Sequence, residues 1–297
     1  MKARLAQIGV GTWGKHIEKT LRSLPECELV YTAEHNWREL LDKKDIDGVV
    51  VATPPHTHAQ IAIAFLELGL PVFIEKPMTG NLKDALAIEA AAKKSGARGM
   101  VGHIHLYNPA YLKMKSLLSE AGQVHTMVGF GYNQGPYRDD YSAMWDWAPH
   151  DLSMMLDLLG TLPERVSAWG IAKTRPNTTL WDLSVIKLDF PQDVSGFVMN
   201  SWLMPQKCKK MTVVGDKKSI VYEDTLTQHK LALYEDSHVT YPEYEDAMPL
   251  TEELAAFVRS IVQKEKPQSD LALGLTVVRI LDAAERSIAA DGTSQTI

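Results

Sequence analysis

The chain has 297 residues, 45% hydrophobic and 23% charged, an ordinary make-up for a globular protein long enough to bury its own core. A net charge of −6 with no block of like charge excludes the signature of a nucleic-acid or anionic-membrane binder, and no apolar run approaches the ~18 residues of a membrane span. Cys27 and Cys208 lie far apart without metal-type spacing, so free thiols in a reducing, cytoplasmic setting and no metal site are expected.

Met1 to Arg4 leads directly into an apolar segment, Leu5 to Val10, which reads as a strand rather than a signal peptide. It runs into Gly9-Val10-Gly11-Thr12-Trp13-Gly14. Between a strand and a helix (Lys15 to Leu24), G-x-G-x-x-G suits a dinucleotide pyrophosphate: a tight turn, a close approach and a free helix N-terminus. The plain alternative is a strand-turn-helix with no ligand. Leu29-Val30-Tyr31 reads as a short second strand. Glu34 stands near the distance where an acid would meet ribose hydroxyls, although Thr32-Ala33 separate it from that strand.

Trp37 to Lys44 has helical spacing. Asp47-Gly48 turns the chain into the apolar strand Val49 to Ala52, followed by the rigid loop Thr53-Pro54-Pro55-His56-Thr57-His58. His58 reads either as a ligand contact or as a helix-entry histidine. After the helix Ala59 to Leu68, Gly69-Leu70-Pro71 turns into the buried run Val72-Phe73-Ile74, which ends in Glu75-Lys76-Pro77. Proline stops the strand there, and ligands of open parallel sheets sit outside the carboxyl ends of strands. Lys76 is thereby placed for chemistry, with a surface Glu-Lys pair as the plain alternative.

The helix Leu82 to Ser95 and a strand from Gly99 through Pro109 complete an alternating pattern that implies a parallel sheet. Beyond Pro109 come a helix (Tyr111 to Glu120), a strand (Val124 to Tyr132) and a polar aromatic loop holding Tyr137 and Arg138. Met144-Trp145-Asp146-Trp147-Ala148-Pro149-His150-Asp151 enters a helix, Leu152 to Leu159. Asp146 and His150, four apart, share a face if that turn is helical; an acid beside an imidazole fixes its tautomer and raises its basicity. An N-cap acid and a structural histidine are the plain alternative. Strands without intervening helices fill Pro163 to Val239, which predicts an antiparallel sheet, and Pro249 to Gln263 and Leu271 to Ala289 read as amphipathic helices.

Taken together, Gly9-x-Gly11-x-x-Gly14, Thr53-Pro54-Pro55-x-x-His58, Glu75-Lys76-Pro77, Tyr107-Asn108-Pro109 and Asp146-x-x-x-His150 resemble the Gfo/Idh/MocA family of oxidoreductases over nearly the whole chain. The wording Trp145 to Asp151 looks most like its sugar-nucleotide-oxidising branch. The resemblance implies an α/β protein: a Rossmann domain (1–105) and a substrate-binding and oligomerisation domain (106–297) with an open, mainly antiparallel sheet. It implies NAD or NADP, held by Gly9, Gly11, Thr12, Trp13, Gly14, Glu34, Thr53, Pro54, Pro55, His58, Glu75 and Lys76. Hydride would pass between nicotinamide and a carbohydrate, polyol or sugar-nucleotide carbon, with Lys76, Asp146 and His150 catalytic and with Tyr107, Asn108, Tyr137, Arg138 and Trp147 near substrate.

A homo-oligomer, dimer or tetramer, is expected from apolar residues left on the open sheet, among them Trp169, Val185, Phe197 and Trp202. The chain departs from the family by about one strand–helix unit between the glycine loop and Thr53, which predicts a weakened adenosine grip. A glycosidase or lyase that uses NAD transiently, and a binding or regulatory relative that has lost cofactor affinity, are the rival readings.

Overall fold

The computed structural model describes residues 2–172 and 180–297. The chain divides into two compact units: Met1–Tyr107 with Ala247–Val278, and Asn108–Asp246 with Arg279–Ile297. The division expected after residue 105 falls beside the first crossing between units; the return of 247–278 to the first unit is new.

In the first unit, β1 (Ala3–Ile8), α1 (Thr12–Ser23), β2 (Cys27–Ala33), β3 (Gly48–Val51), α2 (Pro55–Glu67), β4 (Val72–Glu75), α3 (Leu82–Ser95) and β5 (Gly99–Gly102) follow in order. All strand pairs are parallel, in the order β2-β1-β3-β4-β5. Every residue of β3, β4 and β5 is buried, as a parallel sheet covered on both faces requires. The strand order reverses between β1 and β3, so the loops after these two strands flank the switch point where ligands of such sheets bind.

Two sequence expectations change here. The helix expected over Trp37 to Lys44 is a single 3₁₀ turn, Trp37–Leu40. Its Trp37 and Leu40 are buried, and Arg4 then fastens the chain through its backbone N and guanidinium to the Asp47 carboxylate (2.8–3.0 Å), leaving no length for further turns. The strand expected to run from Gly99 to Pro109 stops at Gly102, and a 3₁₀ turn, Ile104–Tyr107, follows.

The second unit opens with α4 (Pro109–Ser116), β6 (Val124–Gln134), α5 (Ala143–Leu159) and β7 (Arg165–Ile171). β8 (Leu183–Phe190), β9 (Val194–Ser201), β10 (Leu203–Gly215), β11 (Ser219–Glu223), β12 (Leu231–Glu235) and β13 (His238–Thr240) follow. After α6 (Pro249–Val262) and α7 (Leu271–Ala289), the short β14 (Gln295–Thr296) completes a nine-stranded sheet ordered β13-β12-β11-β10-β6-β9-β8-β7-β14. Its pairs are antiparallel apart from β6 with β9. The sequence pattern misses β12, β13 and β14, which are short and lie toward the sheet's two edges.

Helix α5 begins nine residues before the expected Leu152, at Ala143, and carries Pro149 inside it. Proline there removes only the bond to the Trp145 carbonyl. The sheet makes room for α5 with glycines: a Cβ on Gly129 would press on the Asp151 side chain at 2.8 Å, and one on Gly131 on Trp147 at 3.1 Å. Trp169 (49%) and Phe197 (37%) keep large exposed areas on this unit, whereas Trp202, expected beside them, is fully buried. Among the described residues no helix is long and apolar enough to cross a membrane, and no group of three or more His, Cys, Asp or Glu could hold a metal ion.

Candidate active site

The glycine loop follows β1 because its backbone must pass where side chains cannot. Gly9 has φ 95°, and a Cβ on it would lie 2.4 Å from the Ala52 carbonyl oxygen. A Cβ on Gly14 would lie 2.3 Å from the Gly9 carbonyl oxygen. Gly11 is different: a Cβ there would meet nothing within 4 Å, so the space beside it is open to an incoming group. Gly11 caps α1 with no side-chain bond, and the first turn has no acid. The helix N-terminus, Thr12 and Trp13 included, thus offers N–H groups and a positive dipole end to a phosphate. These features fit the pyrophosphate of a dinucleotide. Gln7, fully buried and not singled out by the sequence, staples the loop by donating from Nε2 to the carbonyls of Gly9 (2.9 Å) and Gly14 (2.7 Å).

Strand β2 includes Thr32 and Ala33, so Glu34 stands directly at its carboxyl end, contrary to the sequence reading. The Gly9 N–H donates to the Ala33 carbonyl at 2.8 Å, which puts exposed Glu34 beside the glycine turn. The strand–helix unit that would wall this side is reduced to residues 34–47, and β2 is the sheet edge.

On the other flank of the switch point, Pro54 and Pro55 start α2, and Thr57 Oγ1 donates to Thr53 Oγ1 at 2.7 Å. His58 does not face this space. It is fully buried, with Nε2 2.7 Å from the Thr53 carbonyl and Nδ1 3.1 Å from that of Pro77. Burial pushes its pKa down, against the carbonyls of Thr53, Met78 and Pro77, and the ring braces the Thr53 loop against the segment after Lys76. His58 therefore shapes the site from behind, where the sequence reading also allowed a direct contact.

Glu75 ends β4, and Lys76 follows it. The indole N–H of Trp13 donates to Glu75 Oε1 at 2.7 Å, and the Lys76 backbone N–H donates to Oε2 at 3.0 Å. The glycine loop is thereby tied to the strand end that carries Lys76. Gly102, paired with Glu75 on β5, leaves room for the carboxylate, since a Cβ there would lie 3.0 Å from Oε2. Burial pushes the Glu75 carboxyl up, opposed by the Trp13 N–H and the Lys76 ammonium.

In the second unit, helical backbone from Ala143 puts Asp146 and His150 on one face of α5, as their spacing predicts. Trp202 donates from Nε1 to Asp146 Oδ2 at 3.3 Å. Around it stand Tyr137, edge-on with ring centroids 6.3 Å apart, and Tyr141 at 6.5 Å, with the Arg138 guanidinium 5.0 Å over the Tyr141 ring. Tyr137, Arg138 and Asp146 thus share an aromatic cluster centred on Trp202, a residue the sequence places elsewhere. Burial pushes the Tyr141 hydroxyl up, with the Asp146 charge adding to it.

Below this face, Lys209 Nζ lies 2.5 Å from Asp151 Oδ1, both side chains buried. Tyr107 and Asn108, expected near substrate, are instead committed internally. The buried Tyr107 hydroxyl pairs with Ser269 Oγ at 3.0 Å, while Asn108 caps α4 and donates to Asp224 at 3.1 Å.

A glycine loop at the switch point of a parallel sheet, bonded to a lysine-bearing strand end, defines an oxidoreductase of the NAD-binding Rossmann class. The Gfo/Idh/MocA profile, an oxidoreductase family with an NAD-binding Rossmann fold, matches residues 7–103, and the profile of that family's C-terminal domain matches residues 111–221. The chain belongs to this family. A solved oxidoreductase structure from Magnetospirillum magnetotacticum MS-1 is 34% identical, with a TM-score of 0.86 over 96% of this chain and 100% of that one. The scyllo-inositol 2-dehydrogenase (NAD(+)) of Bacillus subtilis (strain 168) is 25% identical over 77% of this chain and 76% of its own. The UDP-N-acetylglucosamine 3-dehydrogenase of Acidithiobacillus ferrooxidans shares the fold at 19% identity, with a TM-score of 0.85 over 98% of this chain and 99% of that one.

Proposed function

We propose that the protein is a dehydrogenase of sugar or polyol hydroxyls. The observation that carries this is the Trp13–Glu75 hydrogen bond, which locks the dinucleotide loop to the strand end presenting Lys76. Substrates named for its relatives, an inositol and a sugar nucleotide, are rich in hydroxyls. The cofactor, when bound, supplies the hydride acceptor. The chain's own residues do the rest. His150 takes the hydroxyl proton. Asp146, held by Trp202, receives a substrate hydroxyl, and Lys76 orients the reacting one. Tyr137, Arg138 and Trp147 line the substrate side.

Glu34 selects the cofactor. A carboxylate at the end of β2 accepts from both ribose hydroxyls of NAD and repels a 2′-phosphate. Arg38, the cation that follows, is stacked on Trp37 with 4.5 Å from guanidinium to ring centroid. Fluorescence titration is expected to show NADH bound at least tenfold tighter than NADPH, and Glu34→Gln to erase most of that preference, since a charge-assisted hydrogen bond is worth ~1.5–3 kcal/mol. Equal affinities in the unaltered protein would count against this role. Turnover over a panel of inositols, aldoses and sugar nucleotides, read as NADH absorbance, tests the activity itself.

The protein works as a homo-oligomer. Trp169, Val185 and Met199 stand in one cross-strand row on β7, β8 and β9, with Phe197 two residues along the same face. Covering such a row removes apolar surface from water at ~25 cal/mol per Å². Sedimentation should show a dimer or tetramer at micromolar concentration, and Trp169→Lys should shift it toward monomer. The free thiols of Cys27 and Cys208 fit a reducing compartment such as the cytoplasm.

A further inference from the structure

Helix α6 belongs to the first unit and lies against its sheet. Phe257 on α6 meets Phe73 on β4 edge-on, ring centroids 5.8 Å apart. One helical turn back from Phe257 is Glu253; two strand residues on from Phe73 is Glu75. A Cβ on Gly48, at the start of β3, would lie 2.6 Å from Ile261 and 3.4 Å from Phe257, so α6 runs against the strands, and the two steps, ~6 Å on a helix and ~6.6 Å on a strand, carry Glu253 and Glu75 the same way. Glu253 is fully buried, and among the described residues no donor reaches either of its carboxyl oxygens. The signs of charge around the two acids differ. Glu75 accepts from Trp13 and from the Lys76 backbone and feels the Lys76 ammonium, whereas Glu253 has none of these. Two buried carboxyls side by side do not both ionise, and the proton stays on the one without anion-stabilising neighbours.

We propose that Glu253 is a neutral carboxylic acid whose O–H is directed at Glu75, a positioning residue that holds the Glu75–Lys76 strand end for the reaction. Burial first, and then the Glu75 charge, push the Glu253 carboxyl well above its ordinary range. The titratable groups around the pair are Glu75 from β4, Tyr107 from the 3₁₀ turn, Lys76 through Glu75, and His103 through Lys76. Tyr107 is itself pushed up to about 12, mainly by burial. His103, buried and beside the Lys76 ammonium, is held down to about 3 and stays neutral. Glu253 is therefore the one proton carrier of this group that is neutral and faces an anion.

The proposal rests on the dehydrogenase reading for the role of Lys76, but its first test does not. An infrared difference spectrum, unaltered protein minus Glu253→Gln at neutral pH, should show the C=O stretch of a protonated carboxyl. Its absence would mean an ionised Glu253 and would overturn the proposal whatever the enzyme's activity. Denaturant titration gives a second sign. A carboxyl whose pKa is raised by folding makes the folding constant fall up to tenfold per pH unit above its ordinary ~4.3. Glu253→Gln lacks that slope, so its stability relative to the unaltered protein should grow from pH 5 to pH 7. In turnover, Glu253→Gln keeps a donor and should hold kcat within about threefold, while Glu253→Leu, which keeps the fold packed, should lose tenfold or more, the worth of one hydrogen bond. Equal loss in both variants, or no loss in Glu253→Leu, would overturn the positioning role. Failure of the unaltered protein to turn over any sugar or polyol would bear on the functional reading alone.

Discussion

Lys76→Ala and His150→Asn are each expected to cut turnover by ~10²-fold or more, the usual worth of positioned acid–base help, while the melting transition stays in place. Oxidation of an alcohol needs somewhere for the hydroxyl proton to go as the hydride leaves the same carbon. A histidine, whose ordinary pKa is ~6.5, can take it near neutral pH. His150→Asn should accordingly flatten the pH–rate profile near neutrality, a change that a merely structural histidine would not produce. Lys76 follows the fully buried strand β4, whose residues are unchanged by the substitution. If both groups serve the same chemical step, the Lys76→Ala/His150→Asn double variant should fall little below the worse single one, because residues that act as a unit are strongly non-additive. Full turnover in either single variant would remove that residue from the mechanism. Multiplicative losses would assign the two to separate steps.

Much of this arrangement was legible because it is local. The glycine loop, the Glu75-Lys76-Pro77 strand end and the Asp146–His150 spacing each lie within a few residues, where turn geometry and helical period decide the outcome. The alternation of strands and helices up to Gly102 likewise gave the parallel sheet. What stayed hidden depends on distant pairing. Nothing near Glu253 in the sequence says that α6 returns to the first unit; the signal, visible only in hindsight, is a lone acid in the apolar stripe of Leu250, Leu254, Phe257 and Ile261. Trp202 reads as one more strand residue until its indole meets Asp146, 56 residues away. The family resemblance of Tyr107-Asn108-Pro109 puts Tyr107 and Asn108 near substrate, yet their partners Ser269 and Asp224 lie far along the chain. Helix α5 runs through Pro149, although a proline usually marks a helix's first turn.

Lys209→Met is expected to destabilise the second unit by ~3–5 kcal/mol, the cost of stripping one partner from a buried ion pair. That is a large share of the ~5–15 kcal/mol that holds a typical domain folded. Lys209 occupies the inward register of β10 with Met211 and Val213, a position that alternation reserves for apolar side chains. Its ammonium meets Asp151 on α5 at 2.5 Å, while Asn200 reaches the second carboxylate oxygen only at 3.5 Å. Burial pushes Asp151 up and Lys209 down, each against the attraction between them. Without the lysine, burial acts on Asp151 unopposed, and its folded pKa rises further above the unfolded ~3.9. The folded variant then holds a proton that the unfolded chain releases, so its stability falls as pH rises above that value. The deficit of Lys209→Met should therefore be small near pH 4 and grow toward pH 7. Paired denaturant titrations at the two pH values would show it. Adding Asp151→Leu should recover most of the loss, because an apolar pair of similar volume leaves no charge buried. A pH-independent deficit, or no recovery in the double variant, would mean that the pair acts through packing rather than charge. Asp151 adjoins His150 on α5, so the same variants should also blur the position of that ring: turnover should drop in Lys209→Met at temperatures where the fold is intact and return with the double variant.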